Sequence, residues 1–267
     1  MNRIQLIERI QARRSFLCIG LDTDRSKLPA HLMQEPDAVL EFNKAIIDAT
    51  RDLCVSYKIN TAFYEAEGEL GWSTMRKTLE YIGQDHLVIA DAKRGDIGNT
   101  SEQYARAFFN SLAFDALTVA PYMGSDSVKP FLQWEDKWTI VLGLTSNEGA
   151  ADFELLPSGD QLVYERVLHT AASWGTKENL MFVVGATRAE SFSNVRRILP
   201  DHFLLVPGVG AQGGSLSEVY QHGSTSDVGL LVNVSRAIIY ASGGTDFAQK
   251  ARVAALVYQK EMSALMA

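Results

Sequence analysis

The sequence predicts an α/β fold, and within that class a closed (β/α)8 barrel. Three observations carry the prediction. Short apolar, β-rich runs alternate with longer stretches of helical periodicity. Eight such pairs can be counted along the chain. The length, 267 residues, is close to the ~250 typical of such barrels. A doubly wound parallel sheet is the competing architecture, but it more often stops at about five to seven strands. No low-complexity linker interrupts the rhythm, so residues 1–267 read as one barrel domain.

The expected strands are Phe16–Leu21, Val55–Ile59, Leu87–Ala90, Ala116–Ala120, Thr139–Leu144, Met181–Val184, Phe203–Val206 and Leu230–Val234. Each is apolar nearly throughout, as parallel strands covered on both faces must be. The first expected helix, Pro36–Leu53, places Val39, Leu40, Phe42, Ile46, Ile47, Ala49 and Leu53 on or near one face. Pro36 suits its first turn, where the missing N–H costs nothing. Glu69–Ile82 follows, then Asn99–Ala113, which opens on Asn, Thr and Ser cap candidates and carries Ala105, Phe108, Phe109 and Leu112. Val128–Trp134, Gln161–Trp174, Ala189–Leu199, Ser215–His222 and Phe247–Ala264 complete the set. The segment Ser146–Asp160 is rich in Gly, Asp and Pro and is expected to be a long loop after the fifth strand; loops of that length are often functional.

Composition narrows the function. Lys+Arg of 25 against Asp+Glu of 32 gives a net charge of −7, and no basic tract marks a polyanion binder, so no nucleic-acid partner is expected. The longest apolar runs, such as Met181–Val184 and Gly229–Val232, fall far short of the ~18 residues of a membrane span. The opening MNRIQLIERIQARRS lacks a continuous apolar stretch, so no signal peptide and a cytoplasmic location are expected. Cys18 and Cys54 sit in apolar segments, as buried thiols of a reducing compartment do. The scattered histidines and the absence of a Cys-x-x-Cys pair argue against structural zinc.

The chemistry gathers at the ends of the expected strands, where a barrel builds its site. The first strand ends in Leu21-Asp22-Thr23-Asp24, the second in Tyr57-Lys58-Ile59-Asn60, and the third in Asp91-Ala92-Lys93-Arg94-Gly95-Asp96-Ile97. Charged groups make poor core residues, because unpaired burial costs several kcal/mol each; converging on one pocket, they can compensate one another. Asp91 and Lys93 are two apart and should share a face of an extended chain. The seventh strand runs into Pro207-Gly208-Val209-Gly210-Ala211-Gln212-Gly213-Gly214, and the eighth into Asn233-Val234-Ser235-Arg236. Glycines let backbone amides approach an anion closely, and Arg236 adds a forked, permanently charged donor. Barrel phosphate sites are often built from these two connections and a short helix N-terminus.

These motifs resemble one family. Asp91-Ala92-Lys93-Arg94-Gly95-Asp96-Ile97-Gly98-Asn99-Thr100 resembles the Asp-x-Lys-x-x-Asp-Ile-x-x-Thr signature of the orotidine 5'-phosphate decarboxylases. Val206–Gly214 is similar to that family's phosphate loop, and Asn233–Tyr240 to its closing strand and phosphate arginine. Asp22 and Lys58 also match, so the resemblance runs from about residue 16 to 242, in the family's order. It departs at Ser235, where many members have Gly, at Arg94-Gly95, where many have bulkier residues, and at Ser146–Asp160, which the shortest members lack. The chain is therefore similar to the longer subgroup.

The resemblance implies a (β/α)8 homodimer that converts orotidine 5'-monophosphate to uridine 5'-monophosphate and CO2, with no metal and no organic cofactor. It implies catalytic roles for Lys58, Asp91, Lys93 and Asp96, with Asp96, Ile97 and Thr100 reaching into the partner's site. It implies that Lys93 stabilises a C6 carbanion and protonates it. Asp22 and Lys58 would hold ribose hydroxyls, Ser127 the pyrimidine amide edge, and Pro207, Val209, Gln212, Gly213, Gly214, Ser235 and Arg236 the rest of the nucleotide, chiefly its phosphate. The array Lys58, Asp91, Lys93, Asp96 sums to zero, so it could be buried without an uncompensated charge. Two other readings stay open. One is a Mg²⁺-dependent sugar-phosphate decarboxylase or aldolase-like synthase of the same superfamily, which Lys58 disfavours because an ammonium repels a metal. The other is a catalytically silent nucleotide-binding module, which has no need of the charge array.

Overall fold

The computed structural model describes residues 1–186, 189–210 and 213–267. Among them the parallel strands β1 (Leu17–Gly20), β2 (Ser56–Asn60), β3 (Leu87–Arg94), β4 (Ala116–Val119), β5 (Trp138–Leu144), β8 (Leu180–Val184), β9 (Leu204–Pro207) and β10 (Leu230–Val234) close into a barrel in the order β1-β10-β9-β8-β5-β4-β3-β2. β6 (Pro157–Ser158) and β7 (Gln161–Leu162) form a separate antiparallel ribbon. The expected barrel is the one observed. Its strands are apolar because both of their faces are covered, and β1, β8 and β10 are buried at every residue. One contiguous apolar core joins the strands to the surrounding helices.

The strands fall within a residue or two of expectation, except β3. Its expected end was Ala90, but the strand runs on to Arg94 and carries Asp91 and Lys93 within it. Its pairing with β4 is irregular, because Ala90 faces Leu117 whereas Arg94 faces Val119. Extra residues on one strand of a pair are a bulge, which bends the strand and redirects its side chains.

The helices depart further from the expected bounds. The helix expected over Pro36–Leu53 is α2 (Ala38–Thr50), and Pro36 lies before it rather than in its first turn. The 3-10 turn Arg25–Lys27, and α3 (Ala62–Glu65) ahead of α4 (Gly68–Ile82), have too few residues for a periodic signal. α5 (Gly98–Ala105) begins after Ile97, ahead of the Asn/Thr/Ser cap candidates, and passes into a π-helical segment, Arg106–Ser111. α6 (Ser125–Leu132) starts three residues early. The loop expected over Ser146–Asp160 holds α7 (Ala150–Phe153) and half of the ribbon. The ribbon's other half takes Gln161–Leu162 from the helix expected there, leaving α8 (Val163–Ala172). α9 (Ala189–Ile198), α10 (Leu216–Gly223), α11 (Arg236–Ile239) and α12 (Phe247–Leu265) follow. In α10, Ser215 accepts from Glu218 N as a side-chain cap does.

The barrel floor is closed by an element the strand-helix rhythm does not contain, α1 (Arg3–Arg13). A reciprocal Asn2–Gln5 capping box starts it, and Leu6 and Ile10 are fully buried. The Arg3 guanidinium lies over the Phe203 ring and donates to the carbonyls of Lys177 and Asp201 and to Asp227. Nearby, Arg196 donates to the carbonyls of Gly223, Leu199, His202 and Gly229 at 2.6–2.9 Å.

Both cysteines are free and buried, as expected, and burial pushes their thiols up to about 12. Burial also pushes His86 down to about 4, with Arg13 adding to it; Nε2 meets the Arg51 carbonyl at 2.8 Å. His202 is pushed down to about 4 by burial, then by Arg196 and Arg3. An unfolded histidine takes up a proton near 6.5, so each site stabilises the fold above that pH and loses its contribution as pH falls towards 4. For His86 the contribution is about 3 kcal/mol. We expect Tm to fall steadily between pH 7 and pH 4.5, and the His86→Gln variant to show a shallower slope in the same thermal melts.

Candidate active site

The strand ends converge as the sequence requires. At the C-terminal mouth of the barrel, a cleft of about 190 Å³ is lined by Asp22, Lys58, Asn60, Asp91, Pro207, Gly208, Val209 and Asn233–Ala237. Lys58, from β2, reaches both neighbouring strand ends: its Nζ lies 3.2 Å from Asp22 Oδ1 and 2.9 Å from Asp91 Oδ2. Lys93 Nζ lies 2.6 Å from the other Asp91 oxygen. The charges therefore alternate in a line, Asp22–Lys58–Asp91–Lys93, and sum to zero.

Within the chain, the anion completing the array is Asp22. Asp96 stands apart from it. The Asp96 carboxylate accepts from Ile97 N at 2.7 Å, and its backbone is tied to the Ser101 hydroxyl. Among the described residues Asp96 has no ion-pair partner. Ile97 is 60% exposed, and Thr100 lies in the first turn of α5 beside it. The expected burial is also uneven. The Lys58 and Asp91 side chains are 5% and 13% exposed, whereas Lys93 is 51% exposed. Lys93 does not itself line the cleft; its ammonium ends the line on Asp91, which does, and is half in solvent.

Electrostatics follow from this packing. Burial works to raise the Asp91 carboxyl, but the ammonium groups of Lys58 and Lys93, with their hydrogen bonds, outweigh it and hold the group well below the usual carboxylate range. Burial likewise works against the Lys58 ammonium, and Asp91 and Asp22 outweigh it, so the group stays charged. An ammonium has three donors. Two of those on Lys58 go to carboxylates, leaving one for a ligand.

Lys93 reaches Asp91 by a route other than simple alternation. Its φ is +48°, in the left-handed region that costs a residue with a Cβ roughly 1–2 kcal/mol. Its N–H donates to the Thr118 hydroxyl at 2.9 Å, and that oxygen lies 3.1 Å from Asp91 Oδ1. The next residue, Arg94, donates to Ala92 O, pairs with Glu65 and lies over the rings of Tyr104 and Phe108. Sequence reasoning passed over Thr118, whose only signal was a hydroxyl in an otherwise apolar strand. It also left Asn60 and Asn233 unassigned, although polar residues at strand exits are the same signal that marked Lys58.

The opposite wall combines the glycine loop and Arg236. Gly208, Gly210 and Gly213 take φ of +97°, +76° and +87°, which side chains with a Cβ rarely adopt. Gly213 N donates to Gly210 O and Gly214 N to Gly208 O, so both amides expected to meet phosphate are engaged within the loop. Gln212 lies outside the described residues. Ser235 Oγ donates to Gly20 O at 3.1 Å, and a Cβ on Gly20 would stand 2.7 Å from the Ser235 Cβ, so the small residue at 20 lets the two strand ends meet. Arg236 is exposed at the start of α11 and, among the described residues, has no ion-pair partner.

Ser127 is not brought to the cleft. It is fully buried in the first turn of α6, with its hydroxyl donating to Gly124 O at 2.7 Å. The sequence offered either a ligand contact or a helix cap at this position. The residue preceding the helix is Gly124, and Ser127 bonds back to it.

A closed parallel barrel with a charge-compensated cleft at its C-terminal mouth defines a (β/α)8-barrel protein of the small-ligand type. The family model described as orotidine 5'-phosphate decarboxylase / HUMPS family matches residues 15–251. The orotidine 5'-phosphate decarboxylase of Flavobacterium johnsoniae is 59% identical, covering 100% of this chain and 98% of its own. Among solved structures, the OMP decarboxylase of Leishmania donovani superposes with a TM-score of 0.84 at 35% identity, covering 99% of this chain and 98% of that one. The UMP synthase of the same organism gives a TM-score of 0.86 at 37% identity; there this chain spans 56% of the other's length. This chain belongs to the orotidine 5'-phosphate decarboxylase / HUMPS family.

The array's own energetics are testable without a ligand. Lys58→Met would leave Asp91 buried with only the exposed Lys93 to compensate it. We expect a loss of about 3–5 kcal/mol at pH 7.5, read by urea unfolding. The deficit should shrink at pH 5, because protonating Asp91 removes the uncompensated charge.

Proposed function

We propose that this protein decarboxylates orotidine 5'-monophosphate to uridine 5'-monophosphate and CO2, the closing step of pyrimidine nucleotide synthesis, and so is a carboxy-lyase. Family membership and the full-length relative that bears this activity's name support it. The observation that carries the chemistry is the line Asp22–Lys58–Asp91–Lys93, which ends in a half-exposed ammonium.

Breaking the bond from C6 to the carboxylate leaves an electron pair in the ring plane, where the ring π system does not delocalise it. Stabilisation must come from charge placed where that pair develops. Lys93 supplies the charge, and its Nζ–H then gives C6 a proton; solvent restores the lysine. Asp91 keeps that ammonium oriented and stands near the leaving carboxylate. Repulsion between two anions ~4 Å apart is worth roughly 4 kcal/mol at an effective dielectric of ~20. Enzymatic accelerations require ~8 to over 20 kcal/mol, so repulsion is a partial contributor and transition-state stabilisation supplies the rest. The third donor of Lys58 and the Asp22 carboxylate hold ribose hydroxyls. Arg236 holds the phosphate with Ser235, Gln212 and the loop from Pro207 through Val209 to Gly213 and Gly214, whose internal bonds must give way to the ligand.

In this reading, 1–267 is one barrel domain that works as a homodimer in the cytoplasm. Asp96, Ile97 and Thr100 enter the partner's cleft, consistent with an Asp96 that has no ion-pair partner among the described residues and an exposed Ile97. Among the described residues no helix is long and apolar enough to cross a membrane. No step calls on a metal or organic cofactor. Lys58 Nζ stands between the carboxylates of Asp22 and Asp91, where a divalent cation would otherwise sit, so the activity should persist in a chelator.

Loss of the orotate ultraviolet absorbance on mixing protein with substrate tests the activity directly; an inert protein would refute it. We expect Lys93→Ala to lower turnover at least about a thousandfold while uridine 5'-monophosphate still binds. Arg236→Ala should raise KM about a hundredfold, and an unchanged KM would remove Arg236 from the phosphate site. A shared site makes one more prediction. Lys93→Ala and Asp96→Ala homodimers should both be inactive, yet subunits mixed and reassociated should recover about a quarter of wild-type activity, because each heterodimer rebuilds one intact site of two.

A further inference from the structure

The bulge in β3 leaves a question that the ion pairs do not answer: what holds Lys93 in a left-handed conformation at the mouth of the cleft. Regular pairing with β4 joins Ala90 to Leu117 and resumes at Arg94 with Val119. The Lys93 N–H falls in the gap, and a side-chain oxygen of β4 accepts from it. Thr118, the β4 residue spanning that gap, supplies that oxygen. It is fully buried. Its Oγ1 accepts from Lys93 N at 2.9 Å and stands 3.1 Å from Asp91 Oδ1, within donating distance. A hydroxyl has one proton and two lone pairs. Here the proton goes to the carboxylate, which can only accept, and a lone pair takes the amide. One side chain therefore pins both ends of Asp91–Ala92–Lys93. It does so without lining the cleft, so its influence on a ligand must pass through Asp91 and Lys93.

We propose that Thr118 is a positioning residue of the decarboxylation, its hydroxyl standing in for the missing strand partner at the bulge and thereby fixing the Asp91 carboxylate and the Lys93 backbone relative to one another. A carboxylate free to rotate would no longer present one oxygen to Lys58 and the other to Lys93. A bulge without its acceptor would relax towards ordinary strand geometry and carry the Lys93 side chain with it. The surrounding contacts cannot substitute. Arg94 anchors the following residue to Glu65 and Ala92 O, but it offers the Lys93 N–H no acceptor. The inference rests on the activity proposed above, and the design below separates failure of one from failure of the other.

The test compares T118V, which keeps the shape and removes the hydroxyl, with T118S, which keeps the hydroxyl and removes the methyl group, and T118A, which removes both. Steady-state decarboxylation and direct titration with uridine 5'-monophosphate are measured for each, alongside the wild type. The expected result is a kcat about thirtyfold lower in T118V and T118A, equivalent to about 2 kcal/mol at 1.36 kcal/mol per tenfold. KM and the product Kd should stay within about threefold, and T118S should retain wild-type kcat within about threefold. A residue that merely supported the fold would lower Tm and the active fraction, but would not separate kcat from product affinity or be rescued by serine. Wild-type kcat in T118V overturns the proposal, as does a T118S as slow as T118V. Should T118V fail to fold, T118A against T118S decides: a slow alanine and a fast serine support the role, and equal rates overturn it. A wild-type protein inert towards the nucleotide overturns the activity itself, and this inference with it.

Discussion

The mouth of this barrel depends on one buried cation. Lys58 sits almost wholly out of water with a carboxylate on each side and is the partner that Asp22 and Asp91 share. A strand-end lysine has a long stem and a compact charge, so it can reach across from β2 to anions on the strands at its left and right. Removing two such charges from water costs several kcal/mol per ion. The expense is tolerable only because the groups alternate in sign and make direct hydrogen bonds. The alternation ends at a lysine that is still half in solvent. The line is neutral only with Lys93 counted, and that half-exposed ammonium is left available for chemistry.

Around that line the structure uses neutral polar groups to hold charged ones. Thr118 braces Asp91 and the strained Lys93 backbone. Behind β1, Asn43 joins Thr23, Tyr64 and Thr78 in a buried network, and Tyr64 donates to Leu21 O beside Asp22. Tyr240 meets the backbone of both Asp22 and Asp24. These contacts fix the loop that carries Asp22 without adding charge, so the balance of the array is undisturbed. Buried polar networks stabilise one geometry when every member has a partner.

Much of this was legible in the sequence because barrel strands obey a simple rule. Apolar runs such as Leu230–Val234 mark a strand buried on both faces, and a charged residue at the run's exit marks the rim. The structure brings Asp22, Lys58, Asp91 and Arg236, which that rule singles out, to one cleft, with Lys93 paired to Asp91 beside it. The rule failed where geometry departed from regular alternation. Asp91 and Lys93 were expected to share a face by period two, but a bulge and a positive φ achieve their contact instead. Ser127 had a suggestive position, but hydroxyl direction depends on where a helix begins, and α6 begins early enough to turn it inward. α1 was missed because its mixture of charge and apolar residues reads as an opening segment until a barrel floor exists for Leu6 and Ile10 to cover. Asp96 departs for another reason: lying three residues beyond Lys93 does not bring it into the line, because its carboxylate turns back to accept from Ile97 N.

The two ends of the barrel are built on different principles. At the floor, the single guanidinium of Arg196 gathers four carbonyls from separate turns of chain. A lysine there has three protons for four acceptors and no planar fork to spread them, so this junction tolerates no conservative replacement. It works as a keystone, drawing the β8–β10 side of the cylinder shut from below by side-chain bonding rather than by strand pairing. With the base held in this way, the opposite rim is left to the strand ends that line the cleft.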